Sequence, residues 1–141
     1  MTEIDIKNKN KVLIDFLRSI TNNFIVRAEY STNDEDKNVI VVQEESGMKV
    51  VFYDADPLYN YYNVDIFGDN IQTCKNVSVD IGNLIGQNIY FDWTTIVDKQ
   101  KETQKWQILI KQFSNPRTLE WSDIRRVSYT MTLQCIINRI S

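Results

Sequence analysis

The sequence predicts an α+β fold, in which an antiparallel-rich mixed β-sheet carries two α-helices packed on one face, within a single domain covering residues 1–141. Apolar residues recur at helical spacing in two stretches and alternate with polar residues in several others. The chain has 141 residues, the size of one domain, and its 43% hydrophobic and 25% charged residues are typical of globular proteins. Helices that flank runs of strands favour an α+β arrangement over a parallel α/β one.

The first predicted helix spans residues 6–20. Its apolar residues are three or four positions apart, as on one face of an amphipathic helix: Ile6, Val12, Leu13, Phe16, Leu17 and Ile20. The polar residues 21–23 end it. A strand is predicted over residues 24–30, followed by a charged loop over residues 31–38, which contain no apolar residue.

The middle of the chain predicts strands. Short β-branched runs at 39–43 and 48–53 indicate a hairpin with Gly47 at positive φ. Pro57 interrupts this pattern, and residues 59–67 return to extended character with Tyr62, Val64 and Ile66 on one face.

A second helix is predicted to follow, with Asp69 as its N-cap and Gly86 as its C-terminal stop. Two long strands come next, at 89–97 and 105–113, and a highly charged segment at 98–103 links them. This segment is predicted to be a hairpin tip.

Residues 115–141 are the most informative part of the chain. A proline-bearing turn and an acidic segment with two arginines lead into a long strand. One face of that strand carries the apolar side chains: Val127, Tyr129, Met131, Leu133, Cys135 and Ile137. The strand is therefore expected to be half buried.

Composition argues against several function classes. The net charge of -3 provides no basic surface for wrapping nucleic acid, and histidine is absent, which removes the commonest general base. Cys74 and Cys135 are predicted to be small buried apolar residues rather than a disulfide or metal pair. No apolar run is long enough for a membrane span, and the opening residues are polar rather than signal-like, so a reducing cytoplasm is expected. We predict no enzyme activity and no catalytic, cofactor-binding or metal-binding residues.

The acidic residues Asp34, Glu35 and Asp36 lack the glycine-assisted turn and ligand spacing of a calcium loop, which favours a solvated loop. The adjacent Arg125 and Arg126 point to opposite sides of an extended chain and therefore do not form one phosphate clamp. One arginine is expected to pair with a nearby carboxylate and the other to face a neighbouring subunit. For Trp121 two interpretations stand, a subunit interface or a small core cluster beneath a loop.

Taken along nearly its full length, the chain resembles the tail terminator, or tail completion, proteins of tailed bacteriophages. The similarity lies in the opening helix, the tyrosine-rich strand that runs through residues 63–68 towards the mid-chain helix, and the late hairpin. Its most telling part is residues 115–126, with Leu119, Asp123, Arg125 and Arg126 leading into the final strand.

The resemblance implies a structural virion protein, located in the tail or neck and assembled in the bacterial cytoplasm. It implies a homo-oligomeric ring of six copies that caps the tail tube, stops its polymerisation and offers its other face to the head–tail connector. Contact with a tail sheath is compatible with it. DNA would be passing cargo in the lumen, which an acidic chain suits.

Within this resemblance, two loops are expected to meet tube or connector, and three residues are expected to contact a neighbouring subunit. The loop residues are Asp34, Glu35, Asp36, Lys99, Lys101 and Glu102, and the subunit-contact residues are Trp121, Arg125 and Arg126. Two alternatives remain open: a head-side neck or connector completion protein, and a small α+β enzyme or ligand-binding domain.

Overall fold

The computed structural model describes residues 3–21, 24–28, 38–44, 59–68, 70–112, 117–121 and 126–141. Side chains are described at 8–21, 24–28, 38–44, 60–68, 70–111 and 129–141. The elements in chain order are α1 (Glu3–Ile20), β1 (Ile25–Arg27), β2 (Val39–Glu44), β3 (Tyr59–Gly68), α2 (Ile71–Gly82), β4 (Asn88–Val97), β5 (Gln100–Gln112), β6 (Arg117–Trp121) and β7 (Arg126–Arg139).

The strands of the described chain form one sheet in the order β1-β2-β3-β7-β5-β4, with β6 beside β7. β1 and β2 are parallel, and every other pair is antiparallel. β7 is the central strand: β3 pairs along one of its edges, and β6 and β5 pair with successive parts of the other. The predicted α+β class with an antiparallel-rich mixed sheet is confirmed.

One face of the sheet is a continuous apolar surface. The strand registers align the inward-facing positions: Val64 lies opposite Met131, and Cys135 lies opposite Ile110. Because side chains alternate along a strand, these positions continue across three neighbouring strands, β3, β7 and β5. Met131, Leu133, Cys135 and Ile137 of β7 are all buried, which confirms the predicted alternation of this strand.

Both helices cover this apolar face, as predicted. α1 contributes Val12, Leu13, Phe16 and Leu17, and α2 contributes Cys74, Val77 and Ile81, to one hydrophobic cluster with the strands. Phe16 packs edge to face on Phe91 of β4, with ring centroids 5.6 Å apart. The first helix therefore occurs where its three-or-four spacing predicts it, although it begins three residues earlier, at Glu3.

The predicted ends of the second helix were wrong. Its N-cap is Asn70 rather than Asp69: the Asn70 side chain accepts a hydrogen bond from the backbone N–H of Gln72 at 2.8 Å. Both residue types can cap a helix, and the extended backbone of Asn70 places its side chain over the first turn. The helix ends at Gly82, with Asn83 as its C-cap, while Gly86 closes the turn that follows with φ of 83°.

The predicted hairpin at 39–53 is only partly within the described residues. β2 matches its first strand, whereas Gly47 and the second strand, at 48–53, lie outside. In the described chain β2 pairs antiparallel with β3, along a register that places Val42 opposite Val64. The predicted strand at 24–30 is confirmed over Ile25–Arg27.

The segment between the two long strands is shorter than predicted. Instead of a six-residue tip at 98–103, a two-residue turn at Asp98 and Lys99 joins β4 to β5. Both residues have positive φ, of 51° and 65°, as a type I′ hairpin turn requires. The sequence suggested a loop because residues 100–103 are polar, but each of them pairs with a residue of β4.

We expect Gly68→Ala to destabilise the fold. A Cβ at this position would lie 2.5 Å from the Sγ atom of Cys74, which is fully buried. Overpacking of this kind costs about 1–3 kcal/mol in the free energy of unfolding, measured by urea denaturation. Combining it with Cys74→Ala should cost less than the sum of the two single changes, and strict additivity would contradict the close approach.

Two other glycines, Gly82 and Gly86, test backbone conformation without steric contact, because a Cβ added at either position would meet nothing within 4 Å beyond the adjacent backbone. Gly82→Ala, in the helix, should raise the free energy of unfolding by about 0.5–1 kcal/mol. Gly86→Ala should lower it by about 1 kcal/mol, because an L side chain is strained at positive φ. Thermal and urea unfolding measure both variants. If Gly82→Ala and Gly86→Ala changed the free energy of unfolding equally, the positive φ of Gly86 would have no effect on stability.

Candidate interaction surface

The segment that carries the family resemblance forms a hairpin. β6 was not predicted as a strand; it pairs antiparallel with the first part of β7, so that Trp121 lies opposite Arg126. Two of the three residues expected at a subunit contact are thus neighbours in the register, at the end of this β6–β7 hairpin where residues 122–125 connect the two strands. Arg125 lies outside the described residues. The roles of all three residues remain predictions.

The β4–β5 hairpin projects beyond the rest of the sheet. β5 pairs with β7 only from Trp106 onwards, so its first residues pair with β4 alone. Lys99 lies in the exposed turn at the end of this projection. Lys101 is exposed on β5, whereas the Oε1 atom of Glu102 accepts a hydrogen bond from Nη2 of Arg139 at 3.2 Å. Lys101 and Glu102 are therefore strand residues and not part of the turn.

The acidic loop residues Asp34, Glu35 and Asp36 lie outside the described residues. Their expected contact with tube or connector therefore stays a prediction.

Asp15 connects the projecting hairpin to α1. Its Oδ2 atom accepts a hydrogen bond from Nε1 of Trp93 at 2.7 Å, and its Oδ1 atom forms an ion pair with Arg18 at 2.8 Å. Arg18 also donates to the backbone carbonyl of Val26 in β1, through Nε and Nη2. One short network thus ties α1 to β4 at one edge of the sheet and to β1 at the other.

A second polar network, which was not predicted from the sequence, lies where α1 crosses β2 and β3. The hydroxyl of Tyr62 donates to Oδ1 of Asn10 at 2.6 Å, and Asn10 donates to Glu44 at 3.3 Å. Glu44 also accepts from Asn60, whose Oδ1 accepts from Lys9. The one available signal was Tyr62, because a tyrosine on a buried strand face normally finds a hydrogen-bond partner for its hydroxyl.

Two titratable groups of the core, Tyr62 and Cys135, are held in their neutral forms. Burial, together with the proximity of Cys135 and Glu44, raises the pKa of Tyr62 well above its usual range. Burial alone raises the pKa of the Cys135 thiol, which has no solvent exposure. A thiol without access or thiolate character is a packing residue, and both cysteines are free and buried, as predicted.

Asp65 is an ionisable group on the opposite face of the sheet. It is only 9% exposed, and its Oδ2 atom accepts a hydrogen bond from Nδ2 of Asn63 at 3.2 Å. Burial raises its pKa, and a hydrogen bond with the Thr130 side chain offsets part of that rise. Among the described residues, no group of three or more acidic, cysteine or histidine side chains is placed to hold a metal ion.

The outer edge of β4 carries the most exposed large apolar side chains near the hairpin. Tyr90 is 62% exposed, Ile96 is 70% exposed and Val97 is 42% exposed. Asp92 and Thr94 are also exposed on this strand. In contrast, Trp93 points into the core, so one face of β4 holds the strand to the domain while the other is available to a partner.

Neither a scan of protein-family models nor a search of curated proteins gives a match to this chain. Neither of the two described helices is long and apolar enough to cross a membrane.

The buried Asp65 should make stability depend on pH. Its folded pKa lies above its unfolded value, so between the two the folded state binds more protons and stability falls as pH rises. Asp65→Asn cannot titrate, so its free energy of unfolding relative to wild type should increase as the pH rises above the unfolded-state pKa of about 4.

Urea denaturation across this pH range measures the effect. Asp80→Asn, which removes an exposed carboxylate on α2, controls for the change in net charge. A constant difference between Asp65→Asn and wild type would contradict the assignment.

Proposed function

We propose that this protein is a structural virion assembly protein of tailed bacteriophages, which forms a six-copy ring at the end of the tail tube. The ring stops tube polymerisation and offers its other face to the head–tail connector. The observation that supports the proposal is the β6–β7 hairpin: the segment that carries the most telling part of the resemblance forms β6 and leads into β7, and β7 is the central strand of the sheet.

A ring of identical subunits needs one heterologous contact that is repeated until rotation closes it. The β6–β7 hairpin is suited to this because β6 pairs with β7 alone in the described sheet, which leaves its other edge for a neighbour. Tryptophan and arginine, the residue types at positions 121 and 126, are enriched among the residues that contribute most of the binding energy in interfaces. We assign the subunit contact to this hairpin, with Arg125 beside it in sequence.

The turn at Asp98 and Lys99 is the described candidate for contact with tube or connector. It lies at the end of the projecting β4–β5 hairpin, and both residues are exposed. The acidic loop with Asp34, Glu35 and Asp36 is the second candidate in the proposal. DNA passes through the lumen without a dedicated binding site, in keeping with the net charge of -3.

Ring formation is tested with the purified protein by native mass spectrometry and negative-stain imaging. Wild-type protein at high concentration, or mixed with tube ends, should give six-copy rings. Arg126→Glu should reduce ring formation about ten-fold or more, because reversing a charge at an interface anchor costs roughly 2 kcal/mol. Lys75→Glu, an exposed charge reversal on α2, should leave rings intact. If both variants formed rings equally well, the β6–β7 hairpin would not be part of the subunit contact.

Deletion of the gene from the parent phage identifies the role of the ring. A tail terminator is expected to leave overlong tubes that are not joined to heads. Tails of normal length that remain unjoined would indicate the head-side neck protein instead. Normal, infectious particles would contradict both assignments.

A further inference from the structure

Within the described part of the chain, the outer edge of β4 is a free strand edge that lacks the usual protection. Among the described strands β4 pairs only with β5, so its other side presents unpaired backbone N–H and C=O groups. Proteins normally protect such edges with lysines, prolines, bulges or very short strands. β4 has 10 residues, contains neither lysine nor proline, and pairs with β5 in an unbroken register.

The side chains along this edge are mostly apolar or uncharged. Tyr90, Ile96 and Val97 are the exposed apolar members, and Asp92 is the one charged residue of the strand. An exposed edge of this length and composition is a template for pairing with another β-strand. A strand of matching pattern is therefore the chemical class of partner that the edge fits.

We propose that β4 pairs antiparallel with β4 of a second copy of this chain, about a two-fold axis at Trp93, so that two sheets become one. An isologous contact uses the same residues on both copies. A two-fold axis perpendicular to the sheet keeps the apolar faces of both copies on the same side. Residues that lie opposite each other must have their side chains on the same face of the sheet. Since side chains alternate along a strand, this requires the axis to lie level with a residue, which then faces its own copy, and not level with a peptide bond between two residues.

Among the possible axis positions, only the one at Trp93 places compatible side chains opposite each other. It places Tyr90 opposite Ile96 of the second copy on the exposed face, and Ile89 opposite Val97 on the other face. Aromatic and β-branched pairs of this kind stabilise antiparallel sheets. Asp92 then lies opposite Thr94, so no two carboxylates face each other directly.

The neighbouring registers are less favourable. An axis at Asp92 places two aspartates directly opposite each other, which is destabilising. An axis at Thr94 places Tyr90 opposite Asp98, and one at Thr95 places Asp92 opposite Asp98. An axis at Phe91 leaves Ile96 beyond the end of the paired strand.

One repulsive contact remains in the proposed register. The two copies of Asp92 are diagonal neighbours, at about 7–8 Å. Because both are exposed, salt screens their repulsion, so association should strengthen from low to physiological ionic strength. A contact dominated by attraction between opposite charges would weaken over the same range.

Disulfide crosslinking tests the register. Asp92→Cys and Thr94→Cys variants are purified separately, mixed and oxidised, and the products are separated on non-reducing denaturing gels. The native cysteines are buried and should contribute little background. The mixture should give about ten-fold more crosslinked dimer than either variant alone, because only residues directly opposite each other meet disulfide geometry. Equal yields from the mixture and the single variants would overturn the proposal.

A second pair of variants tests the contact itself. Ile96→Lys, added to both cysteine variants, should reduce the crosslinked yield about ten-fold, because it introduces a charge opposite Tyr90. Val79→Lys makes the same kind of change at a side chain that is 51% exposed on α2, and should leave the yield unchanged. Thermal unfolding verifies that both variants are folded. Equal yields from the two would overturn the proposal.

This pairing goes beyond the proposed function and does not depend on it. β6 and the first part of β7, assigned above to ring contacts, take no part in the β4 pair. The denaturing gel counts covalent pairs, so its result is the same whether or not the pairs also belong to a larger ring.

Discussion

The double pairing of β7 is the constraint on which the rest of the structure depends. β3 occupies one of its edges, and β6 and β5 share the other, so the two halves of the sheet, as far as the chain is described, meet only through this strand. A slip of one residue in either register would turn every side chain of the slipped strand to the opposite face. Both helices therefore depend on the alignment of Met131 with Val64 and of Cys135 with Ile110, because it makes their apolar floor continuous.

α1 adds a second constraint, across the sheet rather than along it. Its contacts reach β1, β7 and β4, which include the strands at both ends of the described sheet. Asp15 and Arg18 fix the orientation of the helix through hydrogen bonds to Trp93 and to the carbonyl of Val26. These part-buried hydrogen bonds each contribute about 1 kcal/mol, and they also tie the helix to strands at both ends of the described sheet.

The parts of the fold that were predictable rest on local patterns. Alternation identified β7 as half buried, and three-or-four spacing identified α1, because burial of one face requires those periods whatever the partner is. The choice of partner is a long-range property: nothing in the sequence of Ile25–Arg27 states that β1 runs parallel to β2. β6 escaped prediction for the same reason, since its short, charged sequence becomes a strand through pairing with β7.

Turns and surfaces were harder to predict than the core. Asp98 and Lys99 are an unusual pair for a turn with two positive φ values, and the long paired strands on either side impose that geometry on them. The same pairing moved Lys101 and Glu102 from the expected loop into β5. The polar network around Tyr62 joins residues from three elements, and no local pattern indicates such a cluster. The free edge of β4 likewise becomes visible only once the strand order is known.

The place of β7 in the strand order also has a kinetic consequence. Its partner β3 lies about 70 residues earlier in the chain, so their pairing requires closure of a long loop, which slows folding. During synthesis, the hairpin of β4 and β5 can form locally, whereas β3 has no neighbour on that side until residues 126–139 emerge. Between the synthesis of β5 and that of β7 the nascent chain therefore carries two strand edges that await β7, and in this interval it is most exposed to aggregation.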